Sequence, residues 1–238
     1  QTSDVAATPL FRFHFSFFLM PLYWFSLSQV TIIHIPHSLL IFFILHVLVY
    51  PSSNGYNSYM DRDTESIGGI EKPREPTKQL FYLTILMDVL ALLLSLFISL
   101  YFFTGIVLFI AASRAYSYRG IRLKKYPFLG YLTVILFQGA LIYFIVKHGA
   151  SQDQVLSKSW SAMIGSSLLI GAFYPLTQIY QHRQDEADGV KSISALLGYR
   201  GTFIFSAFVF ILAMISLAWY FANNLELDRF LIIQICML

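Results

Sequence analysis

Long apolar runs separated by short polar loops form the main pattern of the sequence. A membrane-spanning helix needs roughly 20 consecutive apolar residues, and the chain has seven runs near that length and an incomplete eighth. The strands of a membrane barrel would be shorter and would alternate in polarity, so the pattern indicates helices. The predicted helices cover residues 9–30, 34–53, 79–97, 98–115, 127–147, 159–180, 202–222 and 229–238.

The composition agrees with a membrane protein. Of the 238 residues, 57% are hydrophobic and only 12% are charged, which is too little polar surface for a water-soluble protein of this size. We therefore predict an all-α fold, a polytopic transmembrane helix bundle, with a single domain over residues 1–238. Because the chain begins at Gln1 and stops at Leu238 inside an apolar run, we expect it to be truncated at both ends.

The charged residues are concentrated in three loops. Twelve of the 16 lysines and arginines lie in or beside the loops after the second, fourth and sixth predicted helices. Positively charged loops tend to remain in the cytoplasm, so we predict that these loops and the N-terminus are cytoplasmic. Eight of the 13 carboxylates share the first and third of these loops. A charge bias that only orients the protein would need no acids, whereas a site for a metal-bound polyanion needs both signs.

The first acidic stretch is NSYMDRDTES, in which Asn57, Asp61 and Glu65 are spaced four apart. If the helix over 34–53 continues through them, their side chains lie along one stripe. Carboxylate and amide oxygens are hard ligands that suit Mg²⁺. The alternative is a solvated acidic cap at a helix end.

The second acidic stretch is QIYQHRQDEADG, at the end of the sixth predicted helix. Gln178, Gln181 and Asp185 fall at i, i+3 and i+7, again on one helical stripe. Two such stripes at the same side of the membrane could face each other across a cavity. Pro175 removes a backbone hydrogen bond just before this stretch and predicts a kink, although an ordinary membrane-helix proline is an equal alternative.

The order of these stretches resembles the UbiA superfamily of intramembrane prenyltransferases. The first stretch is followed by GGIEKPREP, then by AYSYRGIRLKKYP, then by QHRQDEADGVKSISALLG, and the resemblance spans about residues 12–202. Members of that family have nine transmembrane helices, so the resemblance implies that seven to eight of the nine are present here.

Two departures from the family pattern concern the acids. The family's first motif is NxxxDxxxD, and here Glu65 stands at the place of the last aspartate. The second motif usually has aspartates where this chain has Gln178 and Gln181, and only Asp185 is retained. The loss of two charges is expected to weaken binding of a second Mg²⁺, so the sequence leaves open one or two metal ions.

The resemblance implies Mg²⁺-dependent transfer of a polyprenyl group from an allylic prenyl diphosphate to an aromatic or other lipid-pathway acceptor that it does not identify. Asp61 and Asp185 would be the catalytic residues. The implied metal ligands are Asn57, Asp61, Glu65, Gln178, Gln181 and Asp185. The implied diphosphate-binding residues are Lys72, Arg74, Tyr118 (or Tyr116), Arg122 and Lys124. We expect the lipid bilayer and no nucleic acid as a further partner, and we predict no particular oligomeric state.

Two alternatives to catalysis are a weakly active relative that binds isoprenoids and a small-molecule transporter. The first is motivated by the two glutamines. The second is disfavoured because transporters place their polar ligands near the middle of the bilayer, whereas the acids here cluster at one interface.

Asp88 is a carboxylate inside an apolar run, where an unpaired charge is costly. It could contact the acceptor substrate or bind a basic or histidine partner such as His46. We favour the alternative, a structural role as a protonated, hydrogen-bonded carboxyl.

Overall fold

The computed structural model describes residues 8–62, 75–156 and 159–236. Six helices in these ranges are long and apolar enough to cross a membrane, which confirms the predicted all-α membrane bundle. The helices are labelled α1 (Phe13–Phe17), α2 (Met20–Ser28), α3 (Ile35–Asp61), α4 (Lys78–Ser95), α5 (Leu100–Ser117), α6 (Pro127–Ala150), α7 (Trp160–Gln181), α8 (His182–Ala187), α9 (Ile193–Asn223) and α10 (Leu227–Cys236).

The first apolar run is divided into short helices and does not form the single helix predicted over residues 9–30. Arg12 adopts the left-handed conformation, with φ of 46°, and its guanidinium donates to the main-chain oxygen of Asn54 at 3.5 Å. Pro21 lies in the first turn of α2 and favours a new start there. The contact with α3 thus bends the chain, and α1 and α2 pack against α3 and α6.

Helix α3 continues past the predicted boundary at residue 53 and ends at Asp61. Arg62 takes the left-handed conformation that terminates helices, with φ of 54°. The guanidinium of Arg119 donates to the main-chain oxygen of Met60 at 2.7 Å, which satisfies one carbonyl of the last turn. Asn57 and Asp61 therefore share a helix as predicted, and Glu65 lies outside the described residues.

Helix α7 changes character at the predicted proline. Its regular α-helical part ends at Phe173, and Tyr174–Gln181 forms a 3₁₀ helix with Pro175 in its first turn. The predicted break in the helix is therefore present. Further along, Gly198 has φ of 66°, which marks a kink within α9.

A buried ion pair joins α4 to α5. Asp88 is 8% exposed and contacts Arg114, whose Nε donates to Oδ2 at 3.0 Å. Ser52 on α3 donates to the other carboxylate oxygen at 2.6 Å, and the Arg114 guanidinium lies 4.0 Å from the ring centre of Tyr56. Asp88 thus has a structural partner, which is Arg114 rather than His46.

Candidate active site

A cavity of about 800 Å³ extends into the bundle from the end at which α3, α5 and α7 finish, here called the polar end. Its walls come from α1, α2, α3, α5, α6 and α7. Polar side chains near the polar end include Arg12, Asn54, Asn57, Tyr116, Ser117, Tyr174, Gln178 and Gln181. The deeper lining is mostly apolar and includes Leu22, Phe25, Phe109, Val134, Phe137 and Ile170.

Two hydroxyl contacts join α3 to α5 beside the cavity. Ser117 donates to Oδ1 of Asn57 at 2.8 Å, and one turn deeper Ser53 and Ser113 share a hydrogen bond of 2.6 Å. An amide oxygen has two lone pairs, so Asn57 keeps one for a further partner.

Asp61 lies one helical turn beyond Asn57 and is 7% exposed. Its Oδ2 accepts a hydrogen bond from the ammonium of Lys124. Its Oδ1 lies 3.6 Å from the guanidinium of Arg122 and has no hydrogen-bond partner among the described residues. The carboxylate is therefore hydrogen-bonded at one oxygen and has only the longer contact with Arg122 at the other.

Arg122 connects the two acidic stretches. Its Nη2 lies 2.6 Å from Oδ2 of Asp188 and 3.6 Å from Oδ1 of Asp61. Burial raises the pKa of Asp185 to about 6, while the positive charge of Lys124 opposes that rise and the negative charge of Asp61 adds to it. The acids after α7 thus lie close enough to sense the charges around Asp61.

Gln178 and Gln181 lie one 3₁₀ turn apart, so they share a face, and both line the cavity. The Nε2 of Gln178 donates to the hydroxyl of Tyr174 at 2.9 Å, and that hydroxyl is hydrogen-bonded to Tyr116 on α5. The Oε1 of Gln178 is buried and, within the described part of the chain, lacks a hydrogen-bond partner. We call Oδ1 of Asp61 and Oε1 of Gln178 the two open oxygens.

The sequence model of the UbiA prenyltransferase family matches residues 18–236, which is most of the chain. The chain belongs to this family. No curated protein sequence matches the chain significantly.

Solved structures of UbiA homologs share the fold. A UbiA homolog from Archaeoglobus fulgidus bound to DMAPP and Mg²⁺ has a TM-score of 0.73 and 16% identity, and the match covers 97% of this chain and 86% of that one. The same homolog bound to GPP and Mg²⁺ has a TM-score of 0.73 and 17% identity with the same coverage. A structure concerning digeranylgeranylglyceryl phosphate synthase has a TM-score of 0.64 and 19% identity and covers 92% of this chain and 77% of that one.

Most of the residues predicted for the site of this UbiA family member lie at the polar end. Those that lie there are Asn57, Asp61, Arg122, Lys124, Gln178, Gln181 and Asp185. Tyr118 is 49% exposed and outside the cavity lining, whereas Tyr116 lines the cavity. Three predicted residues, Glu65, Lys72 and Arg74, lie outside the described ranges.

Sequence reasoning missed three side chains that border the cavity. Tyr174 precedes Pro175 and stands one turn before Gln178, and this spacing is the one signal that could have singled it out. Ser117 supports Asn57 from a helix whose neighbours are unknown from sequence. Arg12 is not among the predicted site residues, yet it is 7% exposed and lines the cavity.

The donor set fits a hard cation with few protein ligands. No cluster of three or more Asp, Glu, His or Cys side chains placed to hold a metal occurs in the described ranges. Carboxylate and amide oxygens can together supply a partial shell, and Mg²⁺ commonly takes one or two carboxylates and completes its shell with water and phosphate oxygens. The two open oxygens are buried acceptors of the kind that bind such cations.

Proposed function

We propose that this UbiA family member transfers a polyprenyl group from an allylic prenyl diphosphate to a lipid-pathway acceptor, with Mg²⁺ as its cofactor. The observation that carries the proposal is that charged and amide groups meet at the polar end of a largely apolar cavity. Gln178 lines the cavity and carries one open oxygen, and Asp61, which carries the other, contacts the cations Arg122 and Lys124. The homolog structures bound to DMAPP or GPP with Mg²⁺ support the same ligands here.

In this proposal the acids and amides bind the metal. Asp61 and Gln178 would supply the open oxygens, and Asn57 would supply its free lone pair. Gln181 and Asp185 are further candidate ligands at the same end of the cavity, and Glu65 is another from the sequence pattern. The bound Mg²⁺ would neutralise charge on the diphosphate as it leaves.

Cationic side chains would hold the diphosphate itself. The ammonium of Lys124 and the guanidinium of Arg122 already contact carboxylates at the polar end, and each can donate to phosphate oxygens. Lys72 and Arg74 are predicted to add to this set. Tyr116 is better placed than Tyr118 to donate to the leaving group, because it lines the cavity.

The apolar depth of the cavity would hold the prenyl chain. Phe25, Phe109 and Phe137 line it, and they exclude the water that would otherwise capture an allylic cation. Aromatic faces also stabilise positive charge that develops at the allylic carbon. The acceptor would approach the same carbon inside this water-poor space, where electrostatic stabilisation is strong.

Pyrophosphate release tests this function directly. Purified protein in lipid nanodiscs is mixed with a labelled prenyl diphosphate, a panel of acceptors and Mg²⁺. Pyrophosphate release is expected to stop when a chelator is added, and to be absent in Asp61→Asn. Asp153→Asn is the matched control, because Asp153 is an exposed carboxylate in the turn at the opposite end of the bundle. Release that continues in the presence of chelator would eliminate the metal assignment.

A weakly active isoprenoid-binding relative is the second candidate, and the replacement of acids by Gln178 and Gln181 favours it. Restoring aspartate at both positions distinguishes the two functions. A large gain from undetectable activity indicates a decayed enzyme, whereas little change or a loss indicates a site adapted to its amides.

We also propose that the polar end faces the cytoplasm, because most of the basic residues lie there. The test is labelling of a cysteine with a membrane-impermeant maleimide in intact cells. In a Cys236→Ser background, Lys191→Cys at the polar end is expected to be protected. Gln152→Cys at the other end is expected to be labelled. The reverse pattern would contradict the orientation.

A further inference from the structure

The carboxamide of Gln178 has an orientation problem that a carboxylate does not have. An amide presents one oxygen, which binds cations, and one NH₂ group, which repels them. Only one of its two orientations turns the useful atom toward a metal. A glutamine in a cation site therefore works as a ligand only if another group holds its nitrogen elsewhere.

Tyr174 fixes the position of the Gln178 nitrogen. Its hydroxyl accepts a hydrogen bond of 2.9 Å from Nε2 of Gln178, one turn later in the same helix. The same hydroxyl is hydrogen-bonded to Tyr116, which ties it to α5. All three side chains line the cavity. Gln178 is 8% exposed, so water competes little for its amide hydrogen bonds, and the amide keeps the orientation that Tyr174 sets.

With the nitrogen engaged, the oxygen of Gln178 is the atom left for a ligand. We propose that Tyr174 is a positioning residue that holds the amide nitrogen of Gln178, so that the amide oxygen faces the Mg²⁺ site. A neutral side chain can then serve where a carboxylate would otherwise be required. This inference rests on the proposed function, because it requires a divalent cation at the polar end. In this role Tyr174 would act through Gln178, without touching the metal or the reacting atoms.

Binding of Mn²⁺ without substrate separates this role from catalysis. Electron paramagnetic resonance measures the concentration of free Mn²⁺ while Mn²⁺ is titrated into the protein in lipid nanodiscs. Tyr174→Phe is expected to weaken Mn²⁺ binding about tenfold, the lower end of what loss of a ligand-supporting hydrogen bond costs. Gln178→Glu has the same shape and carries oxygen at both terminal positions, so the orientation problem disappears. Adding Tyr174→Phe to Gln178→Glu is therefore expected to leave the Mn²⁺ affinity nearly unchanged.

Two results would overturn the inference. The first is an unchanged Mn²⁺ affinity in Tyr174→Phe. The second is that Tyr174→Phe lowers the Mn²⁺ affinity equally with glutamine and with glutamate at position 178, because the hydroxyl would then not act through the amide. Tyr126→Phe is the matched control, because Tyr126 is exposed in the loop before α6. If Tyr174→Phe does not fold, Gln178→Asn is the substitute, because the shorter side chain withdraws the amide from the Tyr174 hydroxyl. It is expected to weaken Mn²⁺ binding similarly. An unchanged Mn²⁺ affinity in Gln178→Asn would contradict the inference.

Failure of the proposed function gives a different result. Mn²⁺ binding that survives Asp61→Asn, or no Mn²⁺ binding at all, contradicts the metal site itself. Mn²⁺ binding that depends on Asp61 but ignores Tyr174 contradicts only the positioning role.

Discussion

The hydroxyl of Ser117 on α5 donates a 2.8 Å hydrogen bond to the side-chain oxygen of Asn57 on α3. The bond holds the Asn57 amide at the cavity wall, one turn before Asp61. Two neighbouring helices therefore cooperate to orient one candidate metal ligand.

Removal of this hydroxyl tests its importance. Ser117→Ala is expected to weaken Mn²⁺ binding about tenfold, because ligands that lose a supporting hydrogen bond bind metals less tightly. Mn²⁺ titration measures the change. Ser113→Ala is the control, because it breaks a bond between the same two helices without contact to Asn57. Equal losses in the two variants would show that helix packing, rather than ligand orientation, is responsible.

Lys124 is expected to affect diphosphate binding and metal binding in opposite directions. Lys124→Met removes a charged donor to the substrate, so kcat/KM for the prenyl diphosphate should fall at least about tenfold. The same change frees Oδ2 of Asp61 from a competing cation, so Mn²⁺ should bind as tightly as before or more tightly. Lys125→Met, at the exposed neighbouring position, should change neither quantity. Parallel losses of Mn²⁺ and diphosphate affinity would contradict this assignment.

The ion pair between Asp88 and Arg114 is expected to govern stability. Arg114→Met leaves a buried carboxylate without its cation, and breaking a buried pair costs about 3 to 5 kcal/mol of unfolding free energy. Asp88→Leu combined with Arg114→Met removes both charges and should recover most of that loss. Thermal unfolding in detergent compares the two. Similar transitions for the single and double variants would argue against the pair as the cause.

The raised pKa of Asp185 predicts how pH affects metal binding. Burial raises its pKa to about 6 from the ordinary 3.8, so the folded protein keeps a proton there at pH 5. A proton competes with a cation for the carboxylate, and Mn²⁺ affinity should therefore rise as pH increases through about 6 and then level. Asp185→Asn should remove this part of the pH dependence. An identical pH profile in the variant would show that Asp185 does not contribute.

The same raised pKa has a consequence for stability without metal. Between pH 4 and pH 6 the folded state binds a proton that the unfolded state has lost, so the unfolding free energy should decrease as pH rises across that interval. Thermal unfolding in chelator should show the decrease in the unaltered protein. The decrease should be smaller in Asp185→Asn.

The lengths of the apolar runs predicted most of the bundle, because the need to satisfy backbone hydrogen bonds in lipid leaves helices as the outcome for long apolar segments. The spacing of four also placed Asn57 and Asp61 on one helix correctly. The pattern did not predict where α3 ends. Arg62 and the contact from Arg119 terminate it after Asp61, and residue 65 lies outside the described residues. Helix ends depend on capping contacts that a periodic pattern does not contain.

The sequence by itself determined the helical membrane fold, the family and the concentration of acids and bases at one end, because all of these follow from local composition, period and order. Only the tertiary structure decided which groups meet: Arg114 with Asp88, Lys124 with Asp61, and Tyr174 with both Gln178 and Tyr116. It also decided that the first apolar run bends where Arg12 reaches Asn54. Most of these pairings join residues far apart in the chain, so they depend on how the helices pack and on no feature of either segment alone.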